Sequence, residues 1–175
     1  MPADAVPVRS SADLFREHGA FVWRLLRRLG VPHADLDDLT QEVFLAVHRA
    51  LATYEERNQL KAWLYRIAVR EAVRHRRTRP PPSSMDIDDL DETSPDCPEA
   101  TAQANETRER FNRLLEALDE PRRTVFVLYE IEELTMAEVA AAVGCPLQTA
   151  YSRHNSAKKM ILAAARRLEA KEASL

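Results

Sequence analysis

Glycine is scarce in this chain, with three in 175 residues, at Gly19, Gly30 and Gly144. A phosphate-cradling loop or a turn-rich β-sandwich needs more of them, whereas glycine weakens helices, so the shortage points to a mostly helical protein. Cysteine occurs twice, at Cys97 and Cys145, in no metal-ligand spacing, and no charged-then-apolar leader precedes the first periodic segment. A reduced, cytoplasmic setting is therefore expected. No apolar run nears the roughly 20 residues that a membrane span requires. The five histidines share no spacing with cysteines or acids that would build a metal site, so neither cofactor nor catalysis is expected.

Apolar residues make up 45% of the chain and charged residues 30%, ordinary proportions for a globular protein. The net charge of −3 hides a partition. Residues 1–79 carry 14 Lys+Arg against 10 Asp+Glu, residues 80–105 carry none against 7, and residues 106–175 carry 11 against 11. The middle block, which contains PPPSSMDIDDLDETSPDCPEA, combines acid with Pro and Ser and has too little apolar surface to offset its ordering entropy. The expected fold class is all-α: two small helical domains, 10–79 and 106–170, joined by a flexible acidic linker over 80–105.

In the first half, Phe15, His18, Phe21, Val22, Leu25, Leu26 and Leu29 form one helical stripe, closed by Gly30 and Pro32. A second helix from about Asp37 buries Leu39, Val43, Phe44, Val47, Ala50, Leu51 and Tyr54. Its other side, Asp38, Gln41, Glu42, Leu45 and His48, reads by itself as a solvated face. A third helix over about 60–77 buries Leu60, Trp63, Leu64, Ile67 and Ala68, and stacks Arg66, Arg70, Arg74 and Arg77 along one side, with Arg76 and Arg79 near its end. Like charges at that spacing repel, and Glu71 is the only carboxylate among them, so a polyanion is the expected compensation. Tyr54, Arg57 and Asn58 precede this helix in a loop suited to stacking on and hydrogen-bonding unpaired bases, although Trp63 fits a core position equally well.

In the second half, Phe111, Leu114, Leu115 and Leu118 define one helix, and Pro121 opens the next, whose apolar residues are Val125, Phe126, Leu128 and Tyr129. Thr135 and Glu138 form a capping box ahead of Val139, Ala140 and Val143. Gly144, Cys145 and Pro146 then interrupt what would otherwise be one long amphipathic helix. The segment beyond the break seals itself with Leu147, Ala150, His154, Ala157, Ile161 and Leu168. Outward it shows Gln148, Ser152, Asn155, Ser156 and Lys159, with Arg153 and Lys158 at the flanks. Short hydrogen-bonding groups framed by cations suit the major groove, so the break reads as the turn of a helix-turn-helix. His154 reads as a packed histidine.

Taken together, DLDDLTQEVFLAVHRAL, KAWLYRIAVREAVRHRR, an acidic linker and LTMAEVAAAVGCPLQTAYSR closely resemble the extracytoplasmic-function (group IV) sigma factors of bacterial RNA polymerase, from about residue 11 to residue 168. The resemblance implies that Asp38, Gln41, Glu42, Leu45 and His48 dock on the beta-prime clamp of core polymerase. Tyr54, Arg57, Asn58, Lys61, Trp63, Arg66, Arg70 and Arg74 would open the minus-ten element, and Gln148, Tyr151, Ser152, Arg153, Asn155, Ser156 and Lys159 would read the minus-thirty-five element. Arg70 and Arg74 stand where many members carry Asn and Asp, and Ser156 replaces a frequent Arg. The implied partners are core RNA polymerase, through its beta-prime clamp and beta flap, promoter DNA, and an anti-sigma protein. No membrane insertion of the chain's own is implied. A free-standing helix-turn-helix regulator is the alternative, and the net acidic charge and the lack of a dimerisation helix speak against it.

Overall fold

The computed structural model describes residues 10–54, 60–78 and 102–173. Among these every regular element is helical. Helix α1 spans Ser11–Arg28, α2 His33–Leu51 and α3 Leu60–Thr78; α4 spans Ala102–Glu116, α5 Glu120–Phe126, α6 Met136–Val143 and α7 Leu147–Glu172. The last four positions of the expected linker, 102–105, belong to α4, and the rest of it lies outside the described residues.

Local chemistry fixes most helix ends. Ser10 caps α1 and is reciprocated by Asp13, which the Ser10 hydroxyl and backbone hold below its usual pKa. Gly30 then closes α1 in the left-handed region at φ 87°, with the Val31 amide donating to the Leu26 carbonyl at 3.1 Å. The second helix starts at His33, four residues earlier than its periodicity suggests, because Pro32 supplies the extended entry at ψ 144°.

Leu14, Val22, Leu25 and Leu26 of α1 meet Leu36, Leu39, Val43 and Val47 of α2 and Leu64, Ile67 and Ala68 of α3, all buried. Each such side chain contributes about 1.5–3 kcal/mol by leaving water. The second bundle closes α5, α6 and α7 around Val125, Leu128, Val139, Ala150 and Ala157. The helix begun by α5 widens into a π-helical turn at Val127–Ile131, which periodicity did not reveal. Phe15, expected in the α1 stripe, is 44% exposed and rests edge-on against Phe44, because the stripe is narrower than its hydrophobicity implies.

The two bundles touch. Helix α6 packs on α3, and a second buried stripe of α3, Tyr65, Val69 and Ala72, lies apart from its arginines.

Candidate nucleic-acid interface

Three exposed faces carry the residues expected to act. On α2, Asp38, Gln41, Glu42, Leu45 and His48 all face outward, with Leu45 60% exposed. Two of them are already engaged. The His48 Nδ1 lies 2.9 Å from the Ser11 hydroxyl, and Glu42 Oε2 accepts from Arg74 Nη2 at 3.1 Å. Asp38 and Glu42 also line a shallow pocket with Asp35, Leu39, His75 and Thr78, so the acidic side of α2 continues to the end of α3.

On α3, Lys61, Arg66, Arg70 and Arg74 are exposed, and the three arginines share one side. The repulsion expected between these arginines is partly answered within the chain. The buried Glu71 carboxylate lies 2.7 Å from Arg74 and 3.7 Å from Arg70, and Glu42 reaches Arg74 from α2. Arg74 is therefore an ion-paired residue and not a bare cation; its own side chain stays 56% exposed, so a phosphate can compete for it. Arg76, read as an extension of the basic stripe, instead turns inward, donating to the Leu29 carbonyl at the end of α1 and reaching Glu120 of the second bundle at 3.2 Å. Tyr54 and Trp63 are half-buried, with ring centroids 4.5 Å apart and planes inclined by 37°. The Tyr54 hydroxyl is buried without a hydrogen-bond partner among the described residues. Arg57 and Asn58 lie outside the described residues.

The helix-turn-helix forms as its residue types dictate. Thr135 and Glu138 complete the capping box, and the Thr135 hydroxyl and amide hold the Glu138 carboxyl below its usual pKa. Gly144 takes φ 72°, and the Cys145 amide closes back on the Ala140 carbonyl at 3.1 Å. Ala150, His154 and Ala157 are the buried stripe of α7, and His154 is held by Glu130 at 2.7 Å and by the Tyr129 ring edge-on. Leu147, expected to seal the helix, is 48% exposed, because the first turn of α7 overhangs the bundle. Gln148, Tyr151, Ser152, Asn155 and Lys159 are exposed together, with Arg153 half-exposed beside them.

Ser156 is half-buried and accepts from Arg122 Nε at 2.9 Å. Arg122, on α5 and tethered at its other side to Asp119, was not singled out by sequence reasoning. It brings a guanidinium to the edge of the polar face from another helix. Only its position one residue past Pro121 hinted at exposure at a helix start.

The chain matches known proteins over most of its length. The model for Sigma-70 region 2 matches residues 14–80, and that for Sigma-70 region 4 matches residues 108–161. The ECF RNA polymerase sigma-E factor of Escherichia coli K12 is 33% identical over 142 residues, covering 75% of this chain and 74% of the relative. The RNA polymerase sigma-H factor of Pseudomonas aeruginosa is 30% identical over 137 residues, covering 73% and 71%. Two solved structures share the fold. The sigma factor RpoE of Bartonella quintana, crystallised with the anti-sigma factor NepR, superposes with a TM-score of 0.69 at 21% identity, covering 89% of this chain and 96% of that one. CnrH in complex with the cytosolic domain of CnrY gives 0.64 at 24%, covering 90% and 88%.

Proposed function

The chain belongs to the extracytoplasmic-function sigma factors of bacterial RNA polymerase, and on that premise we propose how its three exposed faces divide the work of initiation. The polar face of α2, centred on Asp38, Gln41 and Leu45, docks on the beta-prime clamp. Glu42 and His48 frame that face. The arginine side of α3, Arg66, Arg70 and Arg74, with Lys61, Tyr54, Arg57, Asn58 and Trp63, engages the minus-ten element. It favours melted DNA because unpaired bases offer faces to the aromatic pair that paired bases hide. The face of α7, from Gln148 to Lys159, reads the minus-thirty-five duplex. Its short amides and hydroxyls meet base edges, while Arg153 and Lys159 hold phosphates.

The observation that carries this reading is the simultaneous exposure of all three faces, in the chain order of the two matched regions. Chemistry belongs to the polymerase. The chain supplies position and selectivity in the cytoplasm, and an anti-sigma protein restrains it until a signal arrives. One structural relative, RpoE of Bartonella quintana, was solved bound to an anti-sigma factor, which supports that expectation.

The Arg74–Glu42 contact dictates how the faces are tested. Removing Glu42 would take away one of the two carboxylates that hold Arg74 and so disturb both faces, and the clean pair of variants avoids this bridge. Asp38→Ala with Gln41→Ala should weaken polymerase binding, while Arg66→Ala with Arg70→Ala should spare binding and impair open-complex formation. If both doubles fail at one step, the assignment of faces is wrong.

A further inference from the structure

The contact between the bundles uses residues that none of the three faces employs. Glu132, directly after the π-helical turn, has a side chain only 8% exposed, and both its oxygens serve the first bundle. One accepts from Arg28 Nη1 at 2.6 Å and the other from the Tyr65 hydroxyl at 2.8 Å. Tyr65 is itself fixed edge-on by Phe21. Burial, and then the Glu132 carboxylate, push its phenol far above the ordinary tyrosine range, so it remains a hydroxyl donor.

The loop that aims Glu132 is strained. Glu132 sits at φ −92° and ψ 0°, and Glu133 follows at φ 56°, the only non-glycine with positive φ among the described residues. A second polar cluster completes the seam. Arg76 meets the Leu29 carbonyl and Glu120, while Arg123 is half-buried beside Gly30 and donates to the Leu115 carbonyl at 2.9 Å. Burial, and then the neighbouring Arg76, lower the Arg123 pKa.

We propose that Glu132 is a latch that holds the free protein shut, and that the closed form is a resting state which must open before both DNA-reading faces can engage one promoter. The closed-state part rests on the seam alone, whereas the resting role rests on the proposed function. Elements named minus ten and minus thirty-five lie about 25 base pairs apart, which is about 85 Å of duplex at 3.4 Å per pair. A compact chain of this length has a radius of gyration of about 16 Å, hence a breadth of about 40 Å. With the bundles joined, α3 and α7 cannot span that separation. The seam also suits a reversible lock. A largely buried carboxylate and partly exposed arginines gain little net stability from their pairing, and the apolar part of the seam, Tyr65, Val69 and Ala72, is small, so a surface that binds either bundle can open them. A purely apolar seam would resist opening and would leave a sticky surface afterwards.

The test uses the full-length chain, labelled for energy transfer near the start of α1 and the end of α7, first alone and then with core polymerase. Wild type alone should give high transfer, and Glu132→Lys, which sets a cation against Arg28, should raise the open fraction by about tenfold. Tyr65→Phe, which deletes one donor and preserves the ring, should open it to a lesser degree. The exchange Arg28→Glu with Glu132→Arg should restore closure. Far-UV circular dichroism should stay unchanged throughout, which separates opening from unfolding. Equal transfer in wild type and Glu132→Lys, with native dichroism, overturns the latch. For the resting role, Glu132→Lys should need less protein for half-maximal run-off transcription. An opened variant that needs the same amount as wild type overturns that role. Wild type that supports no transcription at all, with transfer still sensitive to Glu132, leaves the latch standing and counts against the proposed function instead.

Discussion

Thr135 does two jobs: its hydroxyl caps α6, and it holds the Glu138 carboxyl, whose reply to the Thr135 amide at 2.8 Å closes the box. Thr135→Ala should cost about 1 kcal/mol of stability, read as a fall in Tm. The pH dependence follows from the sign of the Glu138 shift. Its folded-state pKa lies below the reference value of 4.5, so its contribution is complete above that pH and vanishes as pH falls through the lower folded value. Thermal melts at pH 7 and pH 3 should therefore show a smaller effect of Thr135→Ala at the lower pH, and an equal effect at both would contradict the coupling. Arg122 offers a second prediction at this scale. If it presents a guanidinium to a phosphate beside Ser156, Arg122→Ala should weaken initiation from promoters that depend on the upstream element, and should lower the salt slope of binding by about one. Promoters that tolerate loss of that element should be unaffected. The capping box was legible because it is local, four consecutive residues whose chemistry closes on itself. Arg122 was not, because its meaning depends on Ser156, 34 positions away.

At the scale of elements, the third helix is the clearest case of a pattern read correctly and explained incompletely. Arginines at four-residue spacing do share one exposed side of α3. The partners that relieve their repulsion, Glu71 from the inner side and Glu42 from α2, depend on how α2 and α3 cross, which spacing along one helix does not encode. The buried stripe of Tyr65, Val69 and Ala72 was overlooked for the same reason: one helix carries two apolar faces, and the stronger one, through Leu64, Ile67 and Ala68, absorbed the periodicity. Replacing Arg66 and Arg70 by Ala should lower the salt dependence of open-complex formation by about one for each phosphate that is no longer neutralised. Filter binding across a salt series measures it, and an unchanged slope would mean that these guanidiniums do not touch the backbone of the DNA. Leu147 makes a related point about α7. Its hydrophobicity suggested a seal, yet the first turn of α7 projects beyond the bundle that supports it, and nearly half of the side chain stays in water.

At the scale of the whole molecule, the arrangement is three outward faces on two bundles, with a seam of mixed apolar and polar contacts between them. The helices, their order and the turn before α7 could be read from periodicity and breakers. The seam could not, because Glu132, Arg28 and Tyr65 come from three distant stretches and none stands out in its own neighbourhood. The balance of charge gives the last prediction. A chain with net charge −3 lacks the phosphate-binding surplus that free DNA affinity requires, so a gel shift on promoter duplex should show little binding by the protein alone. Adding core polymerase should produce a complex that forms more readily than core polymerase gives by itself. The central claim, that this chain directs a polymerase to start sites, is tested most directly by run-off transcription with purified core enzyme on a small library of promoters. Discrete transcripts should emerge only when the chain is present and should fade when Gln148 and Asn155 are replaced by Ala. Transcripts from no template, or the same transcripts without the chain, would contradict it.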